Sequence, residues 1–493
     1  MWDNLQRKTV SALFWSFLQA FAQRAVQFVV GIVLARLLFP EQFGLIGMLT
    51  IFIAVIRAFL DSGFGAALIQ KREISQTDIC SIFYFNIAVG AAAACLLSLA
   101  APWIAAFYRQ PILTPLTRAL SLTFIIDSFA MIQSTLLTKE INFKTQTKVS
   151  VIAGILSGAT GITMAVLGFG VWSLVAVQLS TAFYSAASLW FFSAWRPQLL
   201  FSFSALRGMF AYGSRLLFSG VLNQIFENIH LIVIGRLFSA TDLGFFARAK
   251  NLTDIPSQTL AEMTGRVTFP VFCSVQDDPA RLKRGLKKAL RVLAFVTFPV
   301  MIGLAVVARP LIQVLLTDKW LPAAPYLQLL CLAGALYPVH LMNLSVLQAT
   351  GRSDLFLRLE IIKKALIALN IMITWHWGIT AMVYGMVVTS VFSFYLNSYY
   401  NGVRIDYPFG EQVLDLLPYI GVTLTMAAAV YAIGLVPFPR PLSRLAAQIV
   451  TGGGVYILLC RVLRLQALAE LWQGMNENIR PLGLKFIKPQ AFK

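Results

Sequence analysis

Charged residues are scarce in this chain, and hydrophobic residues take their place. Only 12% of the 493 residues are charged, 58% are hydrophobic, and the mean hydropathy is +0.74. A soluble domain normally carries about a quarter charged residues, and a soluble fold of this length could not bury so much apolar surface. The composition therefore excludes a soluble globular protein and predicts a polytopic membrane protein.

Cysteine and histidine are also few. The five cysteines stand singly without a CxxC pair, and the three histidines lie far apart without the HExxH spacing of a zinc site. Small buried hydrophobic residues are the better interpretation of the cysteines. We therefore expect no disulfide framework, no metal site and no cofactor.

Long apolar runs fill the sequence instead. A membrane helix needs about 20 mainly apolar residues, and that window gives about fourteen candidate spans, the first at 11–38 and the last at 442–465. The largest connections, near 195–209 and 274–290, are too short for a catalytic domain. The sequence predicts an all-α membrane protein that is not an enzyme, with a retained first helix rather than a cleaved signal peptide.

The charge that is present is mostly positive. Forty Lys and Arg against 21 Asp and Glu give a formal charge of +19, which in a soluble chain would suggest a nucleic-acid partner. If the N-terminus is cytoplasmic, about two dozen cations fall in cytoplasmic segments and about five in the opposite loops. The excess is therefore a topological signal. It predicts a membrane protein with both termini in the cytoplasm and no nucleic-acid partner.

An internal repeat appears at an offset of 200 residues. Ile-Val-Leu-Ala-Arg-Leu at 32–37 recurs as Ile-Val-Ile-Gly-Arg-Leu at 232–237, and Gly44 is matched by Gly244 in the same register. The repeat predicts two pseudo-symmetric six-helix lobes followed by two further helices. The predicted segments are 1–200 (helices 1–6), 201–404 (helices 7–12), 405–465 (helices 13 and 14) and a basic, amphipathic cytoplasmic tail at 466–493.

Polar side chains recur at equivalent places in the two predicted lobes. Gln19, Gln23 and Gln27 share one face of helix 1, with Arg24 beside them, and the corresponding part of helix 7 carries polar residues as well. Polar groups avoid lipid, so the faces indicate a hydrated cavity between the lobes. For the glutamines, hydrogen bonds between packed helices are an equally good interpretation.

Several segments resemble a known family. They are Ala-Arg-Leu-Leu-Phe-Pro-Glu-Gln-Phe-Gly at 35–44, Asp-Ser-Gly-Phe-Gly at 61–65, Leu-Ile-Gln-Lys-Arg-Glu-Ile-Ser at 68–75, Phe269-Pro270, Gln276-Asp277-Asp278, Lys319-Trp320 and Leu-Gln-Leu-Leu-Cys at 327–331. Their order and spacing resemble Wzx-type polysaccharide exporters of the multidrug/oligosaccharidyl-lipid/polysaccharide superfamily, and the colanic-acid-exporter subgroup in particular. Phe39 departs from the pattern, because the family often has glycine before this proline.

The resemblance implies a flippase for lipid-linked oligosaccharide. Such proteins move an undecaprenyl-diphosphate-linked repeat unit from the cytoplasmic to the periplasmic leaflet for exopolysaccharide or lipopolysaccharide assembly. Two six-helix lobes enclose a central cavity that opens alternately to each side. Coupling to H⁺ or Na⁺, and a polymerase or glycosyltransferases as neighbours, are further expectations.

A diphosphate and sugar hydroxyls require different ligands. Arginine and lysine suit the diphosphate because their donors pair with phosphate oxygens. The candidate diphosphate ligands are Arg24, Arg248, Arg266, Lys363 and Lys364. Candidate ligands for the sugars are Gln19, Gln23, Gln27, Asn223, Gln224 and Asn251. Glu227 and Asp61 are the candidates for ion or proton coupling.

Alternatives remain open at this point. Glu360 lies three and four residues before the two lysines and suits a structural pair, as does Asp61 four residues after Arg57. For the whole chain, the alternatives are a MATE-like ion-coupled exporter of small molecules on the same fold and a membrane enzyme that handles polyprenyl sugars. The exporter would be expected to have an acidic cavity, whereas the intramembrane charge here is net basic.

Overall fold

The computed structural model describes residues 2–60, 65, 68, 69, 71 and 74–468. For residues 2–14, 16, 17 and 204–219 it describes the backbone only. This part of the chain is helical throughout and contains fourteen helices of at least 21 residues and no strand. They correspond in order to the fourteen predicted spans, so the all-α prediction is confirmed. Asp61 and most of the predicted tail at 466–493 lie outside the described residues.

The α-helices are numbered in chain order, and α10 has only eight residues. Their bounds are α1 Trp2–Leu37, α2 Pro40–Leu60, α3 Gln76–Tyr108, α4 Leu113–Lys139, α5 Phe143–Val166, α6 Val171–Phe192, α7 Phe203–Leu237, α8 Ala240–Ser274, α9 Pro279–Val306, α10 Ala308–Leu315, α11 Ala324–Ala349, α12 Ser353–Thr374, α13 Ile379–Ile405, α14 Phe409–Leu435 and α15 Pro441–Val462.

Side-chain caps begin several helices. The Ser75 hydroxyl accepts from the backbone N–H of Asp78, and the Asp78 carboxylate accepts from that of Ser75, which together form a capping box at α3. Asp278 accepts from the backbone N–H of Arg281 before α9. Pro279 follows at the first helical position, where proline lacks only a hydrogen bond that the helix does not need.

In the described part of the chain, eleven helical segments are long and apolar enough to cross a membrane, so the chain is a multi-pass membrane protein. Among the long helices without masked side chains, α8 and α12 fall outside this group. These two carry charged residues along their length, including Arg248 and Lys363. Charged residues inside spanning helices are costly in lipid and mark functional positions.

The chain divides into two compact units, 1–247 and 248–493. In the first unit, α3 packs on α4, α4 on α6, α5 on α6, α1 on α5 and α2 on α7. Leu34, Leu38 and Leu174 are buried together with half-buried side chains of α1, α2, α5 and α6 around them.

The second unit repeats part of this packing pattern. Here α9 packs on α11, α11 on α13 and α12 on α13, which are the counterparts of the α3–α4, α4–α6 and α5–α6 pairs of the first unit. The two helices beyond the repeat, α14 and α15, pack on each other, and α14 also packs on α9. Val422, Met426 and Tyr456 belong to the buried cluster that holds them. The boundaries predicted for the lobes stay a prediction.

Candidate functional site

The predicted polar face of α1 divides into two parts. Gln23 and Gln27 are exposed, and Arg24 is half-buried next to them. Gln19 differs, because its amide Nε2 donates to the Ser150 hydroxyl of α5 at 3.4 Å. Gln19 therefore links two packed helices, while the exposed glutamines keep their amides available to a ligand.

The equivalent stretch of α7 contains a local pair. The Asn223 amide donates to the Glu227 carboxylate at 2.8 Å, and both side chains are exposed. Gln224 is half-buried and its backbone carbonyl accepts from the Asn228 amide at 2.9 Å. The one carboxylate of this segment, that of Glu227, is therefore oriented by a neutral donor and lies at an accessible position.

The candidates on α8 differ in exposure. Only 8% of Arg248 is exposed, whereas Asn251 and Arg266 are exposed side chains further along the helix. Lys250 forms an ion pair with Asp254 at 2.5 Å, one turn later. The i,i+4 ion pair is a local contact of Lys250, and Arg248 and Arg266 stay the predicted anion ligands of this helix.

The two lysines of α12 are not equivalent. Lys363 is 8% exposed, and its ammonium group lies 2.5 Å from the Glu360 carboxylate. Lys364 is half-buried. The Lys363–Glu360 contact is the structural pair that the sequence offered as the alternative to a diphosphate ligand. Both roles remain compatible with the position.

An ion pair in the first unit was not predicted from the sequence. Arg57 of α2 contacts Asp127 of α4, with 3.5 Å between Nη2 and Oδ2 and 70 residues between them in sequence. The pair borders a cavity of about 460 Å³ inside the first unit. Local spacing had suggested Asp61 as the partner of Arg57, and Asp61 lies outside the described residues.

A second cluster that the sequence did not predict joins α9 and α14 in the second unit. Arg291 contacts the Asp415 carboxylate at 2.6 Å and Lys287 contacts it at 3.0 Å, and the buried Tyr407 hydroxyl donates to it at 2.7 Å. Lys283 pairs with Glu411 at 2.8 Å. Burial and the adjacent Asp415 charge raise the pKa of Tyr407, so its hydroxyl stays protonated as a donor. The four-residue spacing on each helix was the available signal.

No group of three or more His, Cys, Asp or Glu residues suited to a metal ion is present in the part of the chain that the structure describes. Its predicted site residues include arginines, lysines and amides, which suit hydrogen bonding to anionic and hydroxyl-rich groups.

The fold matches that of solved membrane transport proteins. The structure of the lipid II flippase MurJ in an inward closed conformation superposes with a TM-score of 0.74, covering 92% of this chain and 98% of MurJ at 14% sequence identity. The class defined by the fold is therefore an all-helical, multi-pass membrane protein with a MurJ-like fold.

The family follows from the sequence comparisons. The model of the polysaccharide biosynthesis protein family matches residues 33–325, and the chain belongs to that family. It is 27% identical to the lipopolysaccharide biosynthesis protein WzxC of Escherichia coli K12 over 88% of the chain and 89% of WzxC. It is 30% identical to the teichuronic acid biosynthesis protein TuaB of Bacillus subtilis, over 62% of the chain and 63% of TuaB. The resemblance to Wzx-type exporters is confirmed.

Proposed function

We propose that this protein is a flippase that moves an undecaprenyl-diphosphate-linked oligosaccharide from the cytoplasmic to the periplasmic leaflet for exopolysaccharide or lipopolysaccharide assembly. Family membership supports the polysaccharide pathway. The likeness to the fold of a lipid II flippase supports transport over catalysis. The observation that carries the proposal is that arginines are placed within long helices of such a protein, notably Arg24 and Arg248.

The physical task explains the residue types. A diphosphate and its sugars cannot enter hydrocarbon unaided, because each polar group would lose its hydrogen bonds at a cost of several kcal/mol. In the proposal, Arg24, Arg248 and Arg266 bind the diphosphate, with Lys364 and Lys363 as further candidates. The sugar hydroxyls bind the amides of Gln23, Gln27, Asn223, Gln224 and Asn251, with Gln19 as a further candidate.

Release of the cargo requires the cavity to change from open to the cytoplasm to open to the periplasm. We propose alternating access, in which Glu227 exchanges a proton or Na⁺ as the cavity changes sides. Its accessible carboxylate and single neutral donor, Asn223, suit a group that gains and loses a cation. Asp61 is the second candidate for this coupling role.

The proposed orientation places both termini in the cytoplasm of a bacterial cell and the protein in the inner membrane. It rests on the distribution of lysine and arginine among the loops. The cargo is then loaded on the side where α2, α4 and α6 end. A polymerase and glycosyltransferases are the expected neighbours in the pathway.

The decisive experiment is deletion of the gene in its native host. The proposal predicts that lipid-linked repeat units accumulate in the cytoplasmic leaflet and that wild-type protein clears them. A MATE-like exporter of small molecules would leave these lipids unchanged, and a polyprenyl-sugar enzyme would yield a truncated repeat unit.

Complementation then tests the cations. Arg24→Ala should abolish polymer export at normal protein levels, because alanine cannot make the bidentate phosphate contact proposed for the arginine. If Arg24→Ala exports normally while Arg24→Glu fails, a general positive potential rather than coordination by Arg24 would be indicated.

A further inference from the structure

The cavity in the first unit has the chemistry of a saccharide site. Its polar lining comes from α2, α4 and α6, and we call it the α2–α4–α6 cavity. The polar side chains that line it are Arg57, Asp127, Ser128, Ser134, Thr135, Thr138 and Ser185. Its volume of about 460 Å³ falls in the range of roughly 300–1,000 Å³ found for small-molecule sites.

The cavity offers donors and acceptors together. Arg57 supplies N–H donors and Asp127 supplies carboxylate acceptors, and their side chains are 53% and 33% exposed. A free anion would be repelled by Asp127 and a free cation by Arg57. A neutral group with many hydroxyls can use both, because each hydroxyl donates and accepts.

The hydroxyls of the cavity support the same ligand. Thr135 and Thr138 donate to backbone carbonyls of α4 at 2.9 Å each. The Thr138 oxygen also accepts from the Gln146 amide at 2.8 Å, so Thr135 is the acceptor that remains for a ligand. Within the described part of the chain, the hydroxyls of Ser134 and Ser185 have no hydrogen-bond partner. These two groups can still both donate and accept, as sugar hydroxyls require.

The position along the helices fixes the side of the membrane. In a multi-pass chain α2, α4 and α6 run in the same direction, so their C-terminal ends lie on one side. Arg57 is three residues from the end of α2, and Thr138 is one residue from the end of α4. Asp127 lies about 18 Å before the end of α4 at 1.5 Å per residue. The cavity therefore occupies the half of the membrane next to the loops predicted to be cytoplasmic.

We infer that the α2–α4–α6 cavity binds the sugar headgroup of the lipid-linked cargo on the cytoplasmic side, with Arg57 and Asp127 as specificity-determining ligands. The inference rests on the proposed function and adds a saccharide subsite to it. In this arrangement Arg24, Arg248 and Arg266 bind the diphosphate, and the Arg57–Asp127 pair binds the sugars and determines which sugars fit.

Protection of an introduced cysteine tests the site. The background protein carries Cys95→Ser and Cys273→Ser, which remove the two thiols that are not buried. This background protein and its Ser134→Cys variant are reconstituted in nanodiscs. The rate at which N-ethylmaleimide labels the cysteine at position 134 is measured under three conditions. These are no added lipid, the lipid-linked repeat unit extracted from the deletion strain, and undecaprenyl diphosphate. Ala187→Cys, an exposed position on α6 outside the cavity lining, is the control.

The repeat unit should slow labelling at position 134 by about tenfold when present at ten times its Kd, because labelling follows the unoccupied fraction. Undecaprenyl diphosphate should not slow it, and neither lipid should protect Ala187→Cys. Asp127→Asn and Arg57→Gln should each weaken binding of the repeat unit by about tenfold or more, the loss expected for a charged hydrogen bond. Their binding of undecaprenyl diphosphate should not change.

Three results would overturn the inference. Equal protection by both lipids would make the cavity a diphosphate site. Unchanged labelling, while pull-down shows that the wild-type protein binds the repeat unit, would exclude the cavity as the saccharide site and leave the proposed function intact. No binding of the repeat unit to the wild-type protein would overturn the proposed function and this inference together.

Discussion

Gly44 and Gly244 face each other in a symmetric close contact within the first unit. A methyl group on Gly44 would lie 1.7 Å from the carbonyl oxygen of Ala240, and one on Gly244 would lie 1.9 Å from that of Pro40. Each contact maps onto the other when 200 is added to or subtracted from its residue numbers. The sequence repeat at 32–44 and 232–244 therefore coincides with a local two-fold relation between the first turns of α2 and α8.

The first prediction concerns the close contact between Gly44 and Gly244. Gly44→Ala and Gly244→Ala should each strongly reduce the amount of folded protein, because the clash is with backbone and cannot be relieved by a change of rotamer. Overpacking a core typically costs about 1–3 kcal/mol, and a backbone clash lies at the upper end. The measurement is the membrane protein level and the Tm in detergent.

Gly265→Ala is the matched control for that prediction. Gly265 lies on the same helix as Gly244, and a methyl group there would meet nothing within 4 Å. Alanine also favours a helix over glycine by about 1 kcal/mol. A normal level for Gly44→Ala would show that the two helices can separate without loss of the fold.

The cluster between α9 and α14 gives the second prediction. The Asp415 carboxylate is 10% exposed and receives Arg291, Lys287 and the Tyr407 hydroxyl. Asp415→Asn keeps the shape but removes the charge, so we expect a loss of about 2 kcal/mol in stability, the scale of a charged hydrogen bond. Thermal unfolding of the purified protein measures it.

Asp406→Asn serves as its control. The Asp406 side chain is fully exposed and lies 3.8 Å from Lys283. Its backbone has a φ of +52°, a conformation that asparagine also tolerates. No measurable change in Tm is expected, and an equal loss in the two variants would mean that net charge rather than the buried contacts sets the stability.

The spans and the repeat could be predicted from the sequence because both are local in the chain. A hydropathy window counts consecutive apolar residues, and the repeat at 32–44 keeps its register without a gap. The Lys363–Glu360 pair was foreseen for the same reason, since its members are three residues apart. Helical periodicity alone places such residues on one face.

The missed contacts join residues that are distant in sequence. Arg57 and Asp127 are 70 residues apart, and Lys287 and Glu411 are 124 residues apart. Four-residue spacing suggested a nearer partner for Arg57 because periodicity does not report which helices become neighbours. The α2–α4–α6 cavity could not be predicted either, since it depends on how three separate helices pack.

The third prediction concerns coupling. Glu227→Gln should accumulate to the normal level, because the glutamine oxygen can still accept from the Asn223 amide. Polymer export should nevertheless be impaired, since the side chain can no longer gain and lose a proton or bind a cation. Export is measured as surface polysaccharide, normalised to protein level. Glu140→Gln, at an exposed position after α4, is the control, and normal export by Glu227→Gln would remove the coupling role.

The fourth prediction separates the two roles of Lys363. Breaking its contact with Glu360 leaves one charge poorly compensated, so Lys363→Met and Glu360→Gln should each cost about 2 kcal/mol in stability, the scale of a charged hydrogen bond. The charge swap Glu360→Lys with Lys363→Glu recreates the pair in the same place. We expect the swap to recover most of the stability and also polymer export, because the buried contact makes the pair structural.

Lys364→Met is the matched control, because Lys364 is adjacent but half-buried rather than buried. It should leave the Tm nearly unchanged. A swap that recovers stability but not export would contradict the structural role, because the cation itself would then be needed at position 363. That result would assign Lys363 to the diphosphate, and the weaker binding of undecaprenyl diphosphate by the swapped variant would verify it.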